Sequence, residues 1–481
     1  RDLSQPVHEL KQEVYEFLKN AAPEMMESLH GEEESILPYF PGYVYDKGVS
    51  TYRGEEVGEG GYVYAEPGMY GNVALLDIAS MHPHSVIAEC LFGPTFTKRF
   101  KEIVDGRVSV KHKAWGEVDH ILDGKLAPYI EKVKRGEMTA KQLANALKTA
   151  INSVYGLTSA AFENAFRDPR NKDNIVAKRG ALFMVNLKNE VQKRGFTVAH
   201  IKTDSIKIPD ATPEIIQFIS QYGKRYGYTF EHEATYDKLC LVNDAVYIAK
   251  HDIPEACQRK YGYVPGDVLE NAGKWTATGK QFAVPYVFKT LFSHEPIEFG
   301  DLCETFSVSG SLYLDMNEGL KDVSDAEKRL KEYLKEMKLS YEDYLDIVDS
   351  SHTTDDPAEM DVQAKLRAFE AEIAEGHDYR FVGRVGQFTP IRDGCGGGQL
   401  LRESGGKYAA ATGSKGYRWI ESEAIEAGHA IAGSGQRFVT RDDVDRGYYD
   451  KLADDAKDAI SKYGDFEWFV SEDRYDVPPD A

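Results

Sequence analysis

The run Val73-Ala74-Leu75-Leu76, followed at once by Asp77, constrains this chain more than any other feature. Four consecutive apolar residues without polar alternation predict a buried strand, and a carboxylate at its end is a common place for a metal ligand. Residues 196–201 and 206–208 predict the arms of a β-hairpin whose tight turn, at 202–205, carries a second carboxylate, Asp204. Between the two lies a helical stretch, 139–155, on which Lys148, Asn152 and Tyr155 stand at i, i+4 and i+7 and so share a face. An Asn-Ser pair in mid-helix is poor for propensity, which weakens a purely structural reason for Asn152-Ser153.

Two carboxylates on neighbouring strand ends can bridge a pair of Mg2+ ions, which prefer oxygen ligands and keep sites for phosphates and water. One ion would activate a hydroxyl and the other would neutralise a triphosphate and its departing pyrophosphate, which is the chemistry of nucleotidyl transfer. Lysine is a mobile point charge that suits a triphosphate. Asn152 can hydrogen-bond near a sugar or base, and Tyr155 can pack beside a nascent base pair. Singly, each residue has a plainer role: Asp77 caps a turn, Asp204 stabilises a hairpin, and Lys148 is a solvated lysine on an amphipathic helix. Their order and combination favour the catalytic reading.

The three stretches resemble motifs A, B and C of family B (alpha-type) DNA polymerases, especially those of tailed phages. Motif A, Asp-x-x-Ser-Leu-Tyr-Pro-Ser, is similar at Asp77, Ser80 and Pro83. Motif B, Lys-x-x-x-Asn-Ser-x-Tyr-Gly, is matched at every fixed position from Lys148 to Gly156. Motif C, Tyr-x-Asp-Thr-Asp-Ser, survives as Thr203-Asp204-Ser205. The resemblance covers residues 60–250 and implies a template-directed DNA polymerase acting in phage DNA replication. Such an enzyme adds dNTPs to the 3′-hydroxyl of primer–template DNA with two Mg2+ ions, for which Mn2+ can substitute.

By the same resemblance Asp77 and Asp204 are the catalytic metal ligands, with the backbone carbonyl of Ile78 beside them. Ser80, Met81, His82, Lys148, Asn152 and Tyr155 surround the nucleotide, and Thr203, Ser205 and Tyr247 lie along the primer and template. The segment 275–280 fails the phosphate-loop pattern, so Lys280 is expected to touch duplex DNA instead. Three positions depart from the family. His82 stands where a tyrosine packs under the incoming sugar and excludes a 2′-hydroxyl, which opens the question of sugar selectivity. Lys202 replaces the first aspartate of motif C. A later Lys-Lys-x-Tyr primer-contact element keeps only Tyr247, with Lys238 or Lys250 as substitutes. Two other readings stand beside the DNA polymerase: a non-catalytic DNA-binding subunit of polymerase shape, and an RNA-synthesising or primase-like enzyme.

The expected fold class is α+β: a right-hand polymerase with an antiparallel-sheet palm, a helical fingers hairpin, a helical thumb and a small β-rich C-terminal module. The expected divisions are a helix and lead-in over 1–70, palm over 71–90, fingers over 91–158, palm again over 159–255, thumb over 256–377 and module over 378–481. A helix is expected over 7–19, helices over 126–135, 139–155 and 174–193, and charged helices over 324–339 and 357–375. The last thirty or so residues read as an acidic, solvated tail. Only 76 residues precede Asp77, too few for a proofreading exonuclease domain, so proofreading is expected either from another chain, such as a separate exonuclease or processivity subunit, or from sequence upstream of Arg1.

The chain's 481 residues carry 58 basic against 79 acidic side chains, a net charge of −21, so contact with nucleic acid requires a local basic surface. Residues 380–419 offer one, with seven basic residues against two acidic. Arg380, Arg384, Arg392, Arg402, Lys407, Lys415 and Arg418 are interleaved there with aromatics such as Trp419, a pattern that suits backbone neutralisation and base stacking. The same aromatics can equally form a small module's own core. The five cysteines are scattered without Cys-x-x-Cys spacing, which predicts reduced thiols in a cytoplasm, the host's if the chain is phage-encoded. No apolar run reaches the length needed to span a bilayer, so no membrane partner is expected.

Overall fold

The computed structural model describes residues 42–58, 60–158, 160, 162, 175–317, 321–428 and 438–475. The helix expected over 7–19 lies outside them. The chain divides into two compact units, with breaks at Phe282/Ala283 and again at Lys457/Asp458.

In the first unit a small antiparallel ribbon, β1 (Tyr43–Asp46), β2 (Val49–Tyr52) and β3 (Glu55–Glu56), precedes the main sheet. That sheet has seven strands: β4 (Val63–Ala65), β5 (Gly68–Ile78), β6 (His200–Lys202), β7 (Ser205–Pro209), β8 (Phe230–Asn243), β9 (Val246–His251) and β10 (Trp275–Thr278). Their spatial order is β10-β9-β8-β5-β7-β6-β4, and every pairing is antiparallel. The α+β class with antiparallel sheets therefore holds. Val73, Ala74, Leu75 and Leu76 of β5 are all buried because the sheet is covered on both faces, which explains their unbroken apolar run.

Among the helices of this unit are α1 (Met81–Glu89), α2 (Gly93–Lys111), α3 (Ala127–Lys134), α4 (Ala140–Thr158), α5 (Ile175–Lys193) and α6 (Pro213–Arg225). Helix α5 is buried along most of its length, and its polar residues are matched accordingly. Arg179 Nε donates to Glu89 Oε1 at 2.7 Å, Lys188 meets Glu55, and Asn186 takes a hydrogen bond from Arg53 at 2.8 Å. The helices α3 and α4 of the expected hairpin pack with a third helix. Helix α2, which carries Val110, packs with Ile130 of α3 and Leu143, Ala144 and Leu147 of α4 in one apolar cluster.

The second unit is a β-module with a helical insertion. Its strands are β11 (Glu304–Asp315), β12 (Tyr379–Ile391), β13 (Gly398–Ser404), β14 (Lys407–Ala410) and β15 (Arg418–Glu421). They run in the order β11-β12-β15-β13-β14, and β13 pairs back onto β11, which closes a small barrel. Phe306, Leu312, Leu314, Phe388, Leu400 and Trp419 fill it. Between β11 and β12 the chain makes α7 (Ser324–Glu336), α8 (Tyr341–Val348) and α9 (Pro357–Ala374) around Leu330, Leu334, Tyr344, Val348 and Leu366. Asp356 caps α9 by accepting from Ala358 N at 2.9 Å, with Pro357 in the first turn.

Three expected boundaries are corrected. The chain does not leave the first unit at 255, because β10 is an edge strand of the seven-stranded sheet. No break separates helices from β-module at 377/378, because β11 belongs to the barrel and the helices are inserted after it. Residues 458–475 are not a solvated tail. Phe469 is fully buried, and Lys238 Nζ donates to the carbonyls of Trp468, Phe469 and Ser471. Among the described residues no helix is long and apolar enough to cross a membrane.

Candidate active site

Sheet register brings the two carboxylates together. Asp77 at the end of β5 pairs with Ser205 on β7 and with Glu231 on β8, and Ile78 N donates to the carbonyl of Asp204 at 2.9 Å. Asp204 sits in the β6–β7 turn, where Thr203 takes φ 57° and its N–H donates to Tyr62 O at 2.9 Å. Gly61 allows that approach, since a Cβ there would stand 2.9 Å from Thr203 Cγ2. Both carboxyls are affected by their crowding. Burial first, then the charges of Asp204, Glu233 and Glu231, push Asp77 up to about 8. Burial likewise raises Asp204, against a backbone hydrogen bond and His82, which lower it. Carboxylates held close in a poorly solvated site are primed to take a cation.

A cavity of about 290 Å3 opens on this pair. Its lining includes Asp77, Ile78, Ser80, Met81, His82, Lys148, Asn152, Tyr155 and Asp204, which draws nine of the sequence-derived residues into one place. Met81, Asp77 and Ile78 arrive on β5 and the start of α1, and Lys148, Asn152 and Tyr155 on α4. Ser80, between strand and helix, adopts φ 53°, a left-handed conformation that a non-glycine residue holds only where its surroundings enforce it. His84 Nδ1 lies 2.9 Å from the Ser80 carbonyl, and Arg107 Nη1 donates to Ser80 Oγ at 2.8 Å. The His82 imidazole lies flat on the Tyr155 ring, with centroids 5.2 Å apart and planes 5° apart. Burial lowers its pKa, partly opposed by Asp204.

Four charged cavity residues were not foreseen in the sequence: Arg107 and Lys111 on α2, and Glu231 and Glu233 on β8. Their signals were present, two basic residues at i, i+4 and two acids at i, i+2, but nothing in the sequence tied either pair to motif A. Lys111 bonds Glu231 at 3.3 Å. His82 Nδ1 and Arg107 Nε are buried without a hydrogen-bond partner among the described residues. Buried polar atoms are normally paired, so these two mark the cavity as built for a hydrogen-bonding occupant.

Other expected residues fall elsewhere. Thr203 and Ser205 flank Asp204 without lining the cavity, and Ser205 Oγ donates to Lys202 O at 3.2 Å. Tyr247 packs over buried Lys207, whose Nζ is 4.5 Å from the ring centroid and 3.1 Å from His200 Nδ1. Lys280 starts a short helix after β10, outside the lining. Lys238 and Lys250, the expected substitutes for a primer contact, both meet the C-terminal segment. The first is tied to carbonyls of the C-terminal segment and the second to Glu472 at 3.2 Å.

In the barrel, the residues expected on a nucleic-acid surface fall in different settings. Trp419 is fully buried and its Nε1 donates to Ser414 O, so it is core. Arg418 is spent on the carbonyls of Gly396 and Gly397, Arg392 on Asp442 O and Asp443, and Arg380 on Asp378. Lys415 lies over the Tyr448 ring. Arg384 is exposed.

No family model matches this sequence, and no curated protein does. Among solved structures, the chain is similar to the family B DNA polymerase of the hyperthermophilic archaeon Pyrobaculum calidifontis, with 14% identity and a TM-score of 0.36. The match covers 83% of this chain and 46% of that one, so the chain spans about half the length of the polymerase. The functional reading therefore rests on the cavity itself.

Proposed function

We propose that this chain is a template-directed DNA polymerase whose nucleotidyl transfer takes place in the cavity at Asp77 and Asp204. The observation that carries the reading is the convergence of a crowded carboxylate pair with the cation-bearing helices α2 and α4 on a single cavity. In this reading the seven-stranded sheet is the palm, α2–α4 the fingers and α7–α9 the thumb. The carboxylates of Asp77 and Asp204 and the Ile78 carbonyl form an oxygen-only donor set that fits Mg2+, or Mn2+ in its place. Two bound ions would supply charge neutralisation at a triphosphate and an acidified hydroxyl nucleophile.

The chain's own residues do the remaining work. Lys148 and Arg107 face the cavity as cations for phosphate oxygens, with Arg107 held in place through Ser80 Oγ. Asn152 is exposed on the same helix face and can reach a sugar or base edge. The stacked His82 and Tyr155 rings offer a flat platform, on which the choice between sugars turns. The partners in this reading are primer–template DNA and dNTPs.

Primer extension with Mg2+ tests the proposal, with dNTPs and rNTPs in parallel. The wild-type chain should extend with dNTPs, and Asp204→Asn should slow extension by about a thousandfold, equivalent to ~4 kcal/mol of lost charge stabilisation. Lys202→Ala should stay within a few-fold, because Lys202 is exposed and lies outside the cavity lining. Equal loss in both variants would refute the division of roles between Asp204 and Lys202. Equal use of both sugars would convert the reading to RNA synthesis. Tight primer–template binding without extension would make the chain a non-catalytic subunit.

A further inference from the structure

A second cavity of the first unit, about 590 Å3 in volume, shares no lining residue with the catalytic one. The C-terminal turns of α5 and α6 contribute to it, and Arg53, between β2 and β3, reaches it from the ribbon. Lys193 of α5 and Arg225 of α6 line it together with Arg53, so cations from three separate elements converge on one space. Gly180 of α5 lies against Met81 of the catalytic cavity, whereas the second cavity takes its α5 residues from 186–193. At about 1.5 Å of rise per residue, the two cavities meet this helix roughly 9–20 Å apart.

Arg53 is fixed in place. Its backbone takes φ 50°, a left-handed conformation that costs a non-glycine residue free energy, and its N–H donates to Gly42 O at 3.1 Å. Its Nη1 donates to Asn186 Oδ1 at 2.8 Å, and buried Asn186 is anchored in turn by donating to Tyr52 Oη at 3.1 Å. Arg225 lies over the Tyr222 ring, 5.9 Å from its centroid. Neither guanidinium has an ion-pair partner among the described residues. The acid of the lining, Glu190, is held by Arg194 at 2.9 Å and Lys193 at 3.0 Å, which keep its carboxyl below the usual carboxylate range. Two uncommitted positive charges therefore face the cavity, on a chain of net charge −21. Lys193 and Arg225 stand in the last turns of their helices, where a cation also offsets the negative end of the helix dipole. That role needs no third cation, and Arg53 comes from a strained turn on another element. Forked guanidinium groups converging on one cavity match phosphate oxygens, and the Asn189 amide adds a further donor.

We infer that the cavity lined by Arg53, Lys193 and Arg225 is a second anion site, which takes phosphate groups, either of a free phosphate ligand or of a nucleic-acid strand. The inference goes beyond the catalytic reading and does not depend on it, because the two cavities share no residue and binding here needs no metal. The volume is that of a small-ligand site, with room for a nucleotide.

Isothermal titration of the full chain with inorganic pyrophosphate, without divalent metal, tests it. A Lys148→Ala background weakens any binding in the catalytic cavity, so that what remains reports on the second one. In that background Arg53→Gln with Arg225→Gln should lower affinity about tenfold, the loss of two charge-assisted contacts. Arg225→Gln alone should lower it about threefold, and because this side chain is exposed its loss should leave thermal melting unchanged. Lys224→Gln, one position away and outside the lining, should leave affinity as it is. Competition with a dT oligomer of about 20 nucleotides separates the two sources. Displacement of pyrophosphate assigns the site to a strand backbone, and failure to displace it assigns the site to a free phosphate ligand; both support the inference. Absence of pyrophosphate binding in the Lys148→Ala chain, or equal affinity after the double arginine replacement, overturns it. Binding that depends on Arg53 and Arg225 in a chain that extends no primer would support it while removing the catalytic reading.

Discussion

At the scale of single residues, the site is organised around a carboxylate kept where it is least comfortable. Asp77 lies beside Asp204, Glu231 and Glu233, and burial with these charges raises its pKa to about 8. In an unfolded chain the same group loses its proton near pH 4. Between those values the folded state holds a proton that the unfolded state has released, so rising pH favours unfolding across that window. Above about pH 8 the whole cost is present. Asp77→Asn removes it, so in metal-free protein the variant should melt higher than wild type, by a margin that widens from pH 5 to pH 9 and reaches several degrees. Thermal unfolding in chelator checks this, and a margin independent of pH would contradict it. Added Mg2+ should stabilise the wild-type chain and not the variant.

At the scale of elements, packing between α1 and α5 sets the floor of the cavity. Met81, in the first turn of α1, lies against Gly180 of α5, where a Cβ would come within 2.6 Å of the Met81 sulfur. Gly180→Ala should therefore displace Met81 and cost about 1–3 kcal/mol of stability, the usual penalty for overpacking a filled core. Because Met81 lines the cavity, the variant should also raise the nucleotide KM more than it lowers kcat. Denaturant unfolding and steady-state kinetics would show both, and an unchanged KM would separate the packing from the site. Helix α4 is legible in the sequence, because its apolar residues Leu143, Leu147 and Ile151 recur at helical spacing. Its packing on α2 is not. Position 107 reads as one arginine among many until the fold sets it 2.8 Å from Ser80.

At the scale of the whole molecule, the first unit is closed by a distant piece of chain. Lys238 is fully buried, and its ammonium is satisfied by carbonyls some 230 residues away in sequence. Tyr475 fits over Gly71, where any side chain would collide with its ring, and Arg474 pairs with Asp252 at 2.6 Å. Deleting residues 465–481 strands a buried cation and should destabilise the unit by about 3–5 kcal/mol. Lys238→Met should recover part of that loss in the truncated chain while costing stability in the full one. Denaturant midpoints of the four proteins measure the coupling, and additive effects would show that the segment does not serve Lys238.

The sequence by itself determined the local chemistry: a strand ending on Asp77, a turn holding Asp204, and a helix presenting Lys148, Asn152 and Tyr155 on one face. These follow from short-range periodicity and turn geometry, which a few neighbouring residues fix. Only the tertiary structure decided what met what. Strand register joined Asp77 to Asp204, helix packing brought in Arg107, and barrel closure buried Trp419 while leaving Phe381 in solvent. Those outcomes depend on contacts between residues far apart in the chain, and neither the basic run at 380–419 nor the acidic one near the C-terminus carries the information that one arginine will bind carbonyls and another lie exposed.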